Sequence, residues 1–135
     1  MIRQLGEKVM VSGQIAPHEV AGLAADGVTM LINNRPDGED PDQPRAGDIE
    51  EAAAQAGIAY RFVPIIRGIG PADVEEMQKA LRDTGDGKLL AFCRSGTRSA
   101  FALAIAQREE GASADEVVQS LNAAGFDHSP IAHLL

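Results

Sequence analysis

The sequence predicts an α/β domain built on a mainly parallel sheet. Two observations carry this. Short apolar runs of strand length alternate along the chain with segments of helical period. Hydrophobic residues make up 44 % of the 135 positions, yet aromatics make up only 4 % and Trp is absent. Ala, Leu, Ile and Val must therefore fill the core, which suits helices packed closely on a sheet.

The elements follow in order. Lys8 to Ile15 reads as a strand. Pro17 opens a helix with Val20, Leu23 and Ala24 at helical spacing, closed by Asp26-Gly27. Val28 to Ile32 is an apolar run bounded by Gly27 and Asn33, the pattern of a strand buried on both faces. Asn33 to Gly47 is polar and holds three prolines and two glycines, which forbid regular structure. A loop of that length in a compact domain is often functional. Asp48 to Ala56 reads as a helix capped by Gly57, and Ile58 to Ile66 as the next strand. Gly68-Ile69-Gly70 is a turn. Pro71 starts a helix running to about Thr84, its acidic first turn matching the helix dipole. Leu89 to Phe92 is a further buried strand and Arg98 to Glu110 a helix. Ser113, with Glu116 three residues on, caps a helix over Ala114 to Ala123 that Gly125 ends. The tail adds at most one more turn.

This length fits one domain, residues 1–135. The net charge of -8 disfavours nucleic acid and anionic membrane surfaces, because neutralising phosphates needs a basic face. No stretch approaches the roughly 18 apolar residues of a membrane span, and Met1 to Lys8 has no long apolar core of a secretory signal. A single cysteine excludes an intrachain disulfide and points to a reducing, cytoplasmic compartment.

In a parallel sheet the strand ends share one edge, where ligands bind. Three unusual loops then meet there: Asn33-Asn34-Arg35, Arg67-Gly68, and Cys93 to Arg98. The last is the most informative. A buried strand delivers Cys93, a glycine-containing loop follows, and a helix begins at about Thr97 to Ser99. Free amides at a helix start point at an anion, and the dipole favours negative charge there. A free thiol titrates near about 8.5, and such surroundings lower it to about 3.5–7.5, so Cys93 is expected as a nucleophilic thiolate. Arg94, Ser95, Gly96, Thr97 and Ser99 form the expected anion cradle, with Arg98 as catalytic partner of Cys93. The bland reading is a buried structural thiol, since free cysteine is among the most buried residue types. The strand–loop–helix setting argues against it.

Cys93-Arg94-Ser95-Gly96-Thr97-Arg98 resembles the active loop of rhodanese-type sulfurtransferases. The wider strand–loop–helix also resembles the signature of cysteine-dependent phosphatases, which places five residues between Cys and Arg where this chain has four. Three stretches resemble a bacterial phosphatase-like sulfur transferase family, also known as the phosphatase-like domain of beta-lactamase-hydrolase-like proteins. They are Ser12-Gly13-Gln14, Ile32 to Glu39 (Ile-Asn-Asn-Arg-Pro-Asp-Gly-Glu) and Phe92 to Ser99. The likeness runs from about residue 8 to 126. It implies the three-layer fold of dual-specificity and tyrosine phosphatases, a mainly parallel central sheet of four or five strands flanked by helices.

Two departures from the phosphatase pattern bear on the reaction. The shorter spacing tightens the loop and shifts the arginine. In addition, no acid follows the strand ending at Ile66 until Asp73, although general acid catalysis contributes about 10²–10⁴-fold. Sulfur transfer needs no such acid and is the expected activity, with thiosulfate or persulfide sulfur carried on Cys93. Phosphate monoester hydrolysis is the alternative, with Asp37 or Glu39 as substitute acid. A non-catalytic anion- or persulfide-sensing module is a third. Arg35 reads equally as a loop salt bridge or as part of the site rim, and Asn33 and Asn34 as turn formers. Asp37, Glu39, Asp40 and Asp42 read as a solvated acidic loop, their prolines spoiling a calcium-loop spacing. His18, His128 and His133 lack metal spacing and read as structural. No metal and no cofactor is expected. The expected partners are a small anionic or persulfide substrate and a fused or separate sulfur-metabolism enzyme.

Overall fold

The computed structural model describes residues 2–135. Five strands form one sheet: β1 (Ile2–Gln4), β2 (Val9–Ser12), β3 (Val28–Asn33), β4 (Ala59–Phe62) and β5 (Lys88–Phe92), in spatial order β1-β2-β5-β3-β4. β2, β5, β3 and β4 run parallel, and only the edge strand β1 is antiparallel, on β2. The α/β expectation with a mainly parallel sheet holds.

Alternation along the central strands explains the three layers, because successive side chains point to opposite faces. Leu90 and Phe92 of β5 join Leu31 of β3 on one face, with α1 (Val20–Ala25) and α2 (Ala46–Ala56) packed over them. Leu89 and Ala91 join Met30 and Ile32 on the other, under α3 (Pro71–Asp83), α4 (Thr97–Glu109) and α5 (Ala114–Ala123). α4 buries Ala100, Ala102, Leu103, Ala104, Ile105 and Ala106. So many small side chains let it lie close against the sheet. Among the described residues, no helix is long and apolar enough to cross a membrane.

Three differences from the sequence reading have physical causes. β1 is absent from that reading because all three of its residues are exposed and carry no apolar pattern. Arg3 holds it from a distance, donating to the Ala124 carbonyl at 2.8 Å and stacking over Phe126. The strand expected over Ile58 to Ile66 ends at Phe62. Pro64 has no N–H to continue the ladder, so only the Val63 and Ile65 amides reach β3's end, at the Asn33 and Asn34 carbonyls. Helix α2 begins at Ala46, two residues earlier than expected, because Asp37 Oδ1 accepts from the Ala46 amide at 2.8 Å. Pro17 opens a 3-10 turn, Pro17–Glu19, that leads into α1. The tail forms the 3-10 helix Ser129–Leu134.

Candidate active site

The parallel register sets the site. Ser12, Asn33 and Phe92 stand level across β2, β3 and β5, so the residues after them emerge together at the carboxyl edge. Cys93 is the first residue past β5 and is fully buried. Its amide donates to the Ser12 carbonyl at 3.2 Å, and the Asn34 amide donates to the Phe92 carbonyl at 2.8 Å. The strand end is thereby pinned from both sides.

Beyond Cys93 the chain curls back. Gly96 adopts φ 97°, a left-handed conformation that costs a side chain dearly, and this turn aims its amide at the Cys93 Sγ, 3.1 Å away. Helix α4 starts at Thr97, and its first turn points toward the same sulfur. The amides of Ser95, Thr97, Arg98 and Ser99 have no acceptor among the described residues. They form an open row of donors beside a sulfur that already accepts one bond. Gly13 braces the loop from behind: a methyl group there would stand 2.9 Å from the Arg94 carbonyl oxygen. The sequence motif Ser12-Gly13-Gln14 thus acquires a reason, close approach of two backbones.

The polar loop after β3 closes over this row. Arg35, 3 % exposed, is its hub. Nε donates to Glu39 Oε1 at 2.9 Å, Nη2 to Asp40 Oδ2 at 2.6 Å and Nη1 to Gln14 Oε1 at 3.1 Å. Glu39 in turn grips Arg98, with Nη1 to Oε2 at 2.7 Å and Nη2 to Oε1 at 2.8 Å, while Arg98 Nη1 also donates to the Ile65 carbonyl at 2.9 Å. Hydrogen bonds from Arg98 first, then from Arg35, outweigh the opposing effect of burial and hold Glu39 at about 2, against an ordinary 4.5. Arg98 is pushed upward, chiefly by Glu39, with the charge of Cys93 adding to it. Arg94 is exposed and leans toward Asp40, Nε to Oδ2 at 3.5 Å. Three guanidinium groups thus face two carboxylates, which leaves one positive charge to balance the anion of the loop.

The expected site residues separate clearly in space. Cys93, Gly96, Thr97 and Arg98 share the loop, and Glu39 reaches Arg98 from the loop after β3. Ser95 donates its hydroxyl to Thr97 Oγ1 at 3.2 Å. Ser99 turns its hydroxyl into the core, donating to Asn34 Oδ1 at 2.8 Å, so only its amide faces the loop. Arg35 is the salt-bridge hub more than a rim residue. Asp37 caps α2, which occupies the carboxylate that the sequence offered as a substitute acid. Asp73 lies in the first turn of α3 and accepts from the Gly70 amide at 2.9 Å.

Two residues carry more than the sequence reading assigned. Asn34, fully buried, donates through Nδ2 to the Val63 carbonyl at 2.9 Å and accepts from Ser99, tying β3, the chain after β4 and α4 together. Asn33 donates to Tyr60 Oη at 3.1 Å and accepts from the Arg35 amide at 2.9 Å. Neither is merely a turn former. The available signal was their place directly after a doubly buried strand, where a polar side chain needs a buried partner.

Known proteins resemble the chain as follows. The family model for the phosphatase-like domain of beta-lactamase hydrolase-like proteins matches residues 1–112. A beta-lactamase hydrolase-like protein of Xylella fastidiosa is 40 % identical over 129 residues, 93 % of this chain and 30 % of the relative's own length. The chain therefore spans under a third of the curated relatives it matches. A solved structure from Neisseria meningitidis, described as a candidate phosphatase, superposes with TM-score 0.79 at 29 % identity, over 98 % of this chain and 94 % of that one. Kinase associated phosphatase shares the fold at 16 % identity, TM-score 0.72, over 93 % and 81 % of the two chains.

Proposed function

The chain belongs to the family of phosphatase-like domains of beta-lactamase hydrolase-like proteins, and on that premise we propose that it is an enzyme whose Cys93 thiolate attacks an anionic substrate and carries the transferred group covalently. The Gly96 bond to Sγ, the dipole of α4 and the open amides of Ser95 to Ser99 support the nucleophile and the bound anion. Arg98 supplies a planar pair of donors for oxygens.

One observation supports a choice of reaction. The carboxylates around the loop are engaged: Asp73 and Asp37 cap helices, Asp40 pairs with Arg35, and Glu39 is held ionised by Arg98 and Arg35. A carboxylate at about 2 is a poor proton donor at neutral pH. The favoured substrates are therefore those whose leaving group departs without a proton. Sulfane sulfur donors meet that condition. The Cys93 sulfur attacks the outer sulfur of thiosulfate, the S–S bond breaks, and sulfite leaves with the electron pair. Cys93 holds a persulfide, whose outer sulfur then passes to an acceptor thiolate while the Cys93 thiolate is regenerated. The short loop between Cys93 and Arg98 favours the same reading, a sulfurtransferase.

Phosphatase chemistry is the second reading, and the likeness to the Neisseria structure favours it. In that case the engaged carboxylates predict hydrolysis of activated aryl phosphates far ahead of alkyl ones. The deciding experiment incubates the protein with thiosulfate and, separately, with aryl phosphates of graded leaving-group acidity. Addition of one sulfur atom to Cys93 by mass spectrometry, lost in Cys93→Ser, is the expected result. Rapid hydrolysis that is insensitive to leaving group, with no persulfide, overturns the sulfurtransferase reading. A sensing module would keep anion binding in Cys93→Ser and show turnover in neither assay.

A further inference from the structure

An apolar cleft of about 440 Å³ opens beside the Cys93 loop, a size within the range of about 300–1,000 Å³ usual for small-molecule sites. Its floor is one stripe of α4. Thr97, Phe101 and Ile105 follow each other at four-residue spacing, so they line one face of the helix. From Thr97 to Ile105 that stripe runs about 12 Å at 1.5 Å per residue. One wall is Ile65 and Ile69, from the chain between β4 and α3, and the other is Ile131 and Leu134 of the tail helix.

Two features tie the cleft to the reaction. Thr97 and Arg98 belong both to the cleft lining and to the anion loop, so the cleft adjoins the loop amides. The lining also contains no carboxylate, and it includes Arg98, the loop arginine that Glu39 holds. The space is thus largely apolar along its length, with His133 in the tail wall and the Arg98–Glu39 ion pair at the end by the loop. The tail wall, residues 130–134, lies beyond the part of the chain that the family model matches, residues 1–112.

We propose that this cleft binds the organic part of the substrate, an aryl or medium-chain alkyl group joined directly to the anionic or sulfane-sulfur head that meets Cys93. The proposal rests on the reading of Cys93 as the nucleophile. It makes the substrate class an organic donor, such as a thiosulfonate anion RSO2S⁻ or an organic persulfide, ahead of inorganic thiosulfate. With a thiosulfonate the step balances: the Cys93 thiolate bonds to the terminal sulfur, the S–S bond breaks, and the sulfinate RSO2⁻ leaves with the electron pair. Ile69, Phe101 and Leu134 are then specificity-determining residues.

The test uses thiosulfonate anions with R methyl, phenyl or octyl. Calorimetry on Cys93→Ser measures binding without turnover, and mass spectrometry of the unmodified protein measures persulfide on Cys93. Expected is a Kd at least tenfold lower for octyl than for methyl, since burial of each methylene strengthens binding. Leu134→Asn, which adds polarity without charge at a position 47 % exposed, should cut this gradient to under threefold and leave methyl binding unchanged. Phe101→Ala is a second variant with the same expected signature. A flat series, or variants that weaken methyl and octyl alike, overturns the proposal and leaves the cleft to a macromolecular occupant. The two failures are distinguishable. A gradient without any persulfide upholds the cleft and removes the transfer reading, whereas persulfide with a flat series upholds the reaction and overturns the cleft.

Discussion

Arg98 and Glu39 stand 59 positions apart in the chain and meet as a two-pronged pair, with nitrogen–oxygen distances of 2.7 and 2.8 Å. The carboxylate occupies the two guanidinium nitrogens that would otherwise receive the oxygens of a bound anion. An incoming substrate has to share or displace it. The pair therefore both orients Arg98 and competes for it, and these roles are separable by mutation.

Glu39→Gln keeps the shape and removes the charge. Inorganic phosphate or thiosulfate should then bind Cys93→Ser/Glu39→Gln more tightly than Cys93→Ser alone, by about tenfold, which corresponds to about 1.4 kcal/mol. Calorimetry reads it. Weaker binding in the double variant would mean that orientation of Arg98 outweighs competition.

The acid behaviour of the site follows from the same contact. Glu39 is held at about 2 in the folded protein, against an ordinary 4.5. A lowered folded value means that the unfolded chain binds the proton more readily, so this stabilisation is complete above about 4.5 and fades as pH falls through about 2. NMR of the Glu39 side-chain carboxyl carbon should show it still ionised at pH 3. In Arg98→Ala its midpoint should move up toward the ordinary range, because the largest cause of the depression is gone. An unchanged midpoint would assign the effect to Arg35.

Asn34→Ala tests the tie beneath the loop. It leaves the Val63 carbonyl and the Ser99 hydroxyl buried without their partner. Each such group costs about 1–3 kcal/mol, so denaturant unfolding should show a loss of about 2–6 kcal/mol. The Asn34 amide bond to Phe92 survives, since it belongs to the backbone.

Gly13→Ala should damage the reaction more than the fold. The added methyl meets the Arg94 carbonyl at 2.9 Å and can be housed only by shifting the Cys93 loop. Displacements of that order cost roughly 10–10²-fold in rate. Steady-state kinetics beside thermal unfolding reads the contrast: a large fall in kcat with a small change in Tm.

Much of this was legible in the chain itself. The apolar runs at Val28 to Ile32 and Leu89 to Phe92 are buried central strands because both faces of a parallel sheet are covered by helices, a condition that leaves little room for polar side chains, the exposed Thr29 near the start of β3 excepted. Cys93, Gly96 and the start of α4 were legible for a local reason: strand, glycine turn and helix start are consecutive, and their geometry follows from short-range backbone rules. Asp73 as a helix residue was legible in the same way.

The tertiary structure decided what depends on distance along the chain. Sequence spacing contains nothing that sends Glu39 to Arg98, Asp37 to the Ala46 amide or Asn34 to Ser99. A charged or polar side chain in a long loop has many possible partners, and only the packed sheet edge selects among them. The cleft beside Thr97 is of the same kind, since its lining comes from three separated segments, α4 and the two that pack against it. The sequence by itself determined the fold class and the candidate nucleophile, through local patterning. The folded chain alone decided which acid stands over the loop and that it is bound to arginine, because long-range electrostatic pairing is set by where the elements pack.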